Sequence, residues 1–280
     1  MTLTVRPTGA SCGAYIEGID LSTSLSSDCV QELRAHWLEH KILIFPDQHL
    51  SNHDLERFTA YFGAFGEDPF FGHIDGHKNI AAIQRNADEK TPIFAEVLHS
   101  DWSFLEIPPA GTVLYSLIIP PHGGNTIFAN QVMAYERLPD RLREIADGLT
   151  AVHSAELGYA PDGAYGEKDA GRSMKIVYSE KAYERRTHPF VRTHPETGKK
   201  ALFSSPAYIR GFEGLEKEES DALLLEFFGH QSAEDLIYSH PWKKDMLVMW
   251  DNRSLLHAAT GGYDGYDRLL HRLTIADTRF

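Results

Sequence analysis

Apolar and polar residues alternate in short runs along most of the chain, and a helical period of three to four appears in only a few stretches. Alternation places successive side chains on opposite faces and predicts half-buried strands. Residues 3 to 21 follow this pattern, broken by Gly9, Gly13 and Gly18, and predict short strands joined by turns. Ile42 to Phe45, Ile80 to Ile83, Thr112 to Ile119, Thr126 to Phe128, Met246 to Trp250 and Leu269 to Ile275 predict further strands. Phe190 to Thr193 and Ala201 to Phe203 flank Glu196-Thr197-Gly198 as a hairpin. Helical spacing starts after Ser26 or Ser27, with Val30, Leu33, Trp37 and Leu38 on one face. A second helix follows Ser51, whose capping partner is Asp54, and presents Leu55, Phe58 and Phe62. Shorter helices are predicted from Gln131 and Pro139, and a longer one over about 217 to 228. Residues 157 to 187 show neither period, which predicts a lid or an insertion. The sum is a mainly β chain with flanking helices, an antiparallel core in one domain spanning 1–280.

Composition narrows the function. A formal charge of −13 leaves no concentrated basic footprint for phosphate, so no nucleic-acid partner is expected. No run of about 18 apolar residues predicts a membrane span, and the N-terminus has no apolar signal region. Two cysteines, Cys12 and Cys29, cannot frame a disulfide scaffold and fit a cytoplasmic location. A small-molecule substrate is the expected partner, and a homo-oligomer (dimer or tetramer) is the expected assembly.

The densest chemistry lies in Leu98-His99-Ser100-Asp101-Trp102-Ser103-Phe104. Read as a strand, it points His99 and Asp101 to the same face. With 15 histidines and 40 acidic residues in 280, a His-x-acid pair should arise about twice by chance. Three occur. His73/Asp75 and His194/Glu196 sit beside turn residues and read as exposed turns, which leaves His99/Asp101. A third ligand is available at His257, after Trp250-Asp251-Asn252-Arg253. Two imidazoles and a carboxylate on one face of a metal leave adjacent positions open, as in non-haem Fe(II) oxygenases. Arg268 and Arg272, four apart on a predicted strand, share a face. Buried guanidinium groups need anionic partners, which a dicarboxylate would supply. The alternative is a solvated basic edge answering Asp264 and Asp267.

With these motifs in order, the chain resembles the taurine dioxygenase/2,4-dichlorophenoxyacetate dioxygenase family. Further matches are Gly13 to Leu21, Pro108-Pro109-Ala110-Gly111-Thr112, Gly123-Gly124-Asn125-Thr126 and Val191-Arg192-Thr193-His194-Pro195. The resemblance implies a distorted double-stranded β-helix, or jelly roll. It implies an Fe(II) centre on His99, Asp101 and His257, and 2-oxoglutarate held at its distal carboxylate by Thr126 and Arg268. Arg272 matches a position near the oxo-acid carboxylate and the anionic end of the prime substrate. The implied reaction uses O2, hydroxylates the substrate and releases succinate and CO2. Since imidazole must be neutral to bind metal, iron affinity is expected to fall below pH about 6.

The substrate side departs from the taurine enzymes. Asp68 stands where they carry a sulfonate-binding His, Phe71 replaces a polar Tyr, and Ala95 replaces an Asn. These changes, with Trp102, Phe70 and Phe104 nearby, imply a small organic acid with an apolar or amine portion rather than taurine. Two alternatives stay open. One is a taurine, alkylsulfonate or sulfate-ester dioxygenase; the other is a zinc hydrolase on the same three ligands.

Overall fold

The computed structural model describes residues 3–278. Eight strands form the large sheet: β1 (Thr4–Pro7), β2 (Ala14–Glu17), β3 (Ile42–Phe45), β4 (His73–Ile74), β5 (His77–Arg85), β6 (Gly111–Ile118), β14 (Leu247–Asp251) and β16 (Arg268–Ile275). Their order is β1-β2-β3-β14-β6-β16-β5-β4, antiparallel except where β2 meets β3. A smaller antiparallel sheet orders β13 (Ile237–His240), β7 (Thr126–Asn130) and β15 (Leu255–Ala259). Ile42, Ile44, Leu114, Val248, Trp250 and Leu270 of the large sheet pack on Phe128, Tyr238 and Leu255 of the small one. The two sheets thus enclose one core, the jelly-roll arrangement expected from the sequence.

The other face of the large sheet is covered by α1 (Ser27–His40) and α2 (Asn52–Ala60). Ser26 caps α1 by accepting from the Cys29 amide, and Leu33 and Trp37 are its buried face. Ser51 and Asp54 close the reciprocal capping box that the sequence predicts for α2. A third sheet, β12 (Ile209–Phe212), β8 (Thr150–His153) and β9 (Arg186–Pro189), packs with α3 (Gln131–Glu136), α4 (Asp140–Gly148) and α6 (Lys217–Gln231). The predicted hairpin is present as β10 (Val191–Thr193) and β11 (Lys200–Leu202). Residues 157 to 187 contain the end of α5 (Glu156–Tyr159), turns and one 3-10 turn before β9. No helix among the described residues is long and apolar enough to cross a membrane.

Two local expectations need correction. The His99 segment is not a strand: His99 makes an isolated antiparallel bridge to His257, and residues 101 to 104 form a turn. Trp102 adopts φ 46°, a left-handed conformation unfavourable for a bulky side chain, and a strand cannot continue through it. His194 and Glu196 are also not an exposed turn pair. His194 is buried with Nε2 2.9 Å from Asp251, and Glu196 accepts from Arg34 and Arg253. Their partners lie in distant segments, so turn composition could not show the burial.

Candidate active site

His99 and His257 meet because their backbones pair, each amide donating to the other's carbonyl at 3.0 and 2.9 Å. His257 lies on β15, which starts after the turn that follows β14. Asp251 fixes that turn, its carboxylate accepting from the Arg253 amide, Nε and Nη2 and facing His194 Nε2. Burial raises the Asp251 carboxyl, but the Arg253 guanidinium and these hydrogen bonds outweigh it and hold it well below the usual range. The Trp250-Asp251-Asn252-Arg253 motif therefore aims the third imidazole.

The three side chains converge. Nε2 of His99 is 3.8 Å from one Asp101 oxygen and Nε2 of His257 is 3.8 Å from the other. The set lies within 4.8 Å of one another and is buried throughout. Two surface groupings, His36/Glu39/His40 and His53/Glu56/His77, match in residue type but not in burial. His99 Nδ1–H donates to the Val97 carbonyl at 2.8 Å, which leaves Nε2 with its lone pair toward Asp101. Burial pushes both imidazoles down, His257 to about 3, so both are neutral at pH 7. Burial raises the Asp101 carboxyl, but the charge of Arg272, the two histidines and the Thr112 hydroxyl together hold it well below the usual range. Two neutral nitrogens and one ionised oxygen are the donor set that a divalent non-haem iron takes.

Sequence reasoning missed the groups that orient Asp101. Thr112 Oγ1 donates to Asp101 at 2.6 Å and accepts from Asn252 Nδ2 at 2.9 Å; Asn252 Oδ1 in turn accepts from Trp250 Nε1 at 2.9 Å. Both Thr112 and Asn252 belonged to quoted motifs, but only the β6–β14 register places them beside each other. Thr112→Val is expected to weaken iron affinity about 10- to 100-fold with little loss of fold, measured by competition with a metal-binding dye.

The pH dependence differs from the expectation of loss below about pH 6. With the folded-state imidazoles shifted down, proton competition at His257 starts only near about pH 3. Metal affinity is therefore expected to fall less between pH 7 and 5.5 than two unshifted imidazoles would allow. Stability behaves otherwise. His257 and His240, the latter lowered to about 4 by burial, take up protons at about 6.5 once unfolded. Unfolded chains then bind more protons, so the stability present above about pH 6.5 is lost progressively as pH falls toward the folded values. A metal-free thermal midpoint that did not drop between pH 7 and 5 would contradict this.

The same cavity continues to Thr126, Tyr263 and Arg268. Arg268 is buried, donates Nη2 to the Gly124 carbonyl at 3.2 Å and faces the Tyr263 ring, while its Nε has no partner. Burial lowers its pKa, and no carboxylate offsets that. Thr126 Oγ1 accepts from Trp242 Nε1 at 3.0 Å, so its own proton is free to donate. Trp242 carried no signal in the sequence. Gly123 lets the two loops around Arg268 touch, since a Cβ there would lie 2.4 Å from the Gly262 carbonyl.

Arg272 differs from its neighbour on β16. It is buried, bonded to Asp68, and its Nη2 lies 3.0 Å from Asp101, close but not aligned as a hydrogen bond. Trp102 Nε1 donates to the same Asp68 carboxylate at 2.7 Å. Phe71 and Trp102 lie in contact, with ring centroids 4.7 Å apart. The solvated basic edge is excluded, because both arginines are inside the fold. A second cavity of about 430 Å³ adjoins at His99, walled by Ala95, Tyr159, Tyr165, Arg172 and Tyr208.

The family model for the taurine catabolism dioxygenase TauD, TfdA family matches residues 4–274. An alkylsulfatase from Acinetobacter baylyi is 34% identical over 275 residues, covering 98% of this chain and 85% of that protein. The α-ketoglutarate-dependent 2,4-dichlorophenoxyacetate dioxygenase of Cupriavidus pinatubonensis is 31% identical, covering 99% of each. The crystal structure of a taurine dioxygenase from Burkholderia xenovorans superposes with a TM-score of 0.81 at 29% identity, covering 99% of this chain and 91% of that one. The chain belongs to the TauD/TfdA family and is an Fe(II)- and 2-oxoglutarate-dependent dioxygenase.

Proposed function

We propose that His99, Asp101 and His257 hold the iron, and that Thr126 and Arg268 grip the distal carboxylate of 2-oxoglutarate. The observation that carries this assignment is Arg268, a buried guanidinium without a carboxylate partner, in the cavity that also contains the buried triad. A zinc hydrolase would leave that cation and the free Thr126 hydroxyl without a task. Once bound, iron and 2-oxoglutarate supply the oxidising chemistry, with O2 consumed and succinate and CO2 released.

The residues of the chain provide placement. Val97 fixes the His99 tautomer, Thr112 orients Asp101, and Trp242 turns the Thr126 hydroxyl toward an incoming acceptor. Phe71, Phe94 and Tyr159 give the cavity an apolar wall that excludes water from the reacting carbon. Residues 157 to 187 act as a lid over this wall. Tyr165 accepts from the Ala95 amide, and Arg172 donates to the Pro92 carbonyl, which ties the segment to the loop before His99. Work in the cytoplasm on a small molecule accords with two unpaired thiols, Cys12 and Cys29. The prime substrate is hydroxylated next to His99. An organic acid, the class that Arg272 suggested, would have to compete with Asp68 for that guanidinium. The test is succinate release with a substrate panel. Turnover should require Fe(II), O2 and 2-oxoglutarate together, and Zn(II) supporting any product would overturn the assignment.

A further inference from the structure

We propose that Asp68 is a built-in occupant of the seat an anionic substrate group would take on Arg272, so the prime substrate is an uncharged, apolar or aromatic molecule. This rests on the assignment of the triad and Arg268 above.

The Arg272 guanidinium borders the cavity but already has two carboxylates and two rings beside it. One edge meets Asp68 and another Asp101, while the Phe71 and Trp102 rings lie 5.0 and 5.2 Å away. Asp68 is itself locked by the Trp102 indole at 2.7 Å, and both members of the ion pair are almost wholly buried. A substrate anion could reach Arg272 only by expelling Asp68 into a site where the indole is its sole other donor. A buried carboxylate stripped of its cation is strongly disfavoured.

Charge counting leads to the same conclusion. Asp68 and Asp101 balance Arg272 and Arg268, and Fe(II) balances the 2-oxoglutarate dianion. The next layer closes as well, because Arg85 and Arg172 face Glu89 and Asp169. A negative substrate would add one uncompensated charge to a water-poor cavity. What remains for recognition is aromatic surface, Phe71, Phe94, Tyr159 and Tyr208, with two phenol hydroxyls as polar handles. Ala95 contributes only a methyl. Phenoxypropionate, named for one relative, and a sulfate monoester, of the sulfate-ester type named for another, carry the anion this pocket has replaced.

The experiment compares matched pairs by anaerobic calorimetry on enzyme loaded with Fe(II) and 2-oxoglutarate: phenoxyacetate against its N-methylamide, and hexyl sulfate against hexyl acetate. Wild type should bind the neutral member at least about tenfold more tightly. Asp68→Ala should narrow or reverse the ratio, and millimolar acetate or methanesulfonate should raise its thermal midpoint while leaving wild type unchanged. Asp68→Asn serves the same arm if the alanine variant does not fold. Equal or tighter binding of the anions by wild type, or no anion-specific gain in the variants, overturns the proposal. The visible charge-transfer band of the loaded wild type tests the oxygenase site separately, so the two failures are distinguishable.

Discussion

His257→Ala is expected to lose Fe(II) binding by roughly 10²- to 10³-fold and to turn over at background. Four-ligand protein sites hold zinc with about 10–16 kcal/mol, or roughly 2.5–4 kcal/mol per ligand. Removing one of three ligands should therefore reduce affinity by that factor. The fold should survive, because the His257 side chain makes no hydrogen bond: Nδ1 has no partner and Nε2 faces Asp101 at 3.8 Å. The β15–β7 pairing that carries residue 257 is made by backbone groups, which alanine keeps. Equilibrium dialysis against Fe(II) under argon reads the affinity, and circular dichroism reads the fold. Iron affinity within a fewfold of wild type would remove His257 from the site.

Arg268→Met carries the second large effect, in two directions at once. Hydrogen bonds to a charged group contribute about 1.5–3 kcal/mol each, so losing the guanidinium should raise the 2-oxoglutarate dissociation constant by roughly a hundredfold. The metal-free protein, by contrast, should become more stable. A buried cation with no carboxylate partner is a destabilising feature, and methionine fills similar space with apolar atoms. A gain of about 1 kcal/mol would raise the midpoint by roughly 2–4 °C. Weaker co-substrate binding with higher stability is the signature of a residue retained for its ligand. If the midpoint fell and affinity held, Arg268 would be a structural cation. Arg272→Met should behave oppositely in the metal-free protein, since it would leave Asp68 and Asp101 buried beside each other's charge.

How far the sequence reaches is clearest in those two arginines. Spacing placed Arg268 and Arg272 on one strand face and left open whether it was buried; on β16 both are buried. It could not show that their partners differ, because Asp68 is brought to Arg272 from 204 positions away. The helix starts at Ser26 and Ser51 were legible because capping is local. The His99 segment was read with the wrong backbone and the right neighbours: apolar alternation suggested a strand, whereas His99 makes only an isolated bridge to His257 before the chain turns at left-handed Trp102. Thr112, Asn252 and Trp242 were invisible as site residues because their roles depend on register between strands. His194 and Glu196 looked exposed because their charged partners come from α1, from the end of β14 and from the turn after it.

One titration reaches the central claim most directly, that His99, Asp101 and the sequence-distant His257 bind one iron while Arg268 holds the co-substrate. Under argon, adding Fe(II) and 2-oxoglutarate together to the wild-type protein should produce a visible metal-to-ligand charge-transfer band. Neither component alone should do so. The band should be absent in His257→Ala and should need roughly a hundredfold more 2-oxoglutarate in Arg268→Met. A wild type that stays colourless with both present, or an Arg268→Met protein that titrates like wild type, would contradict the account.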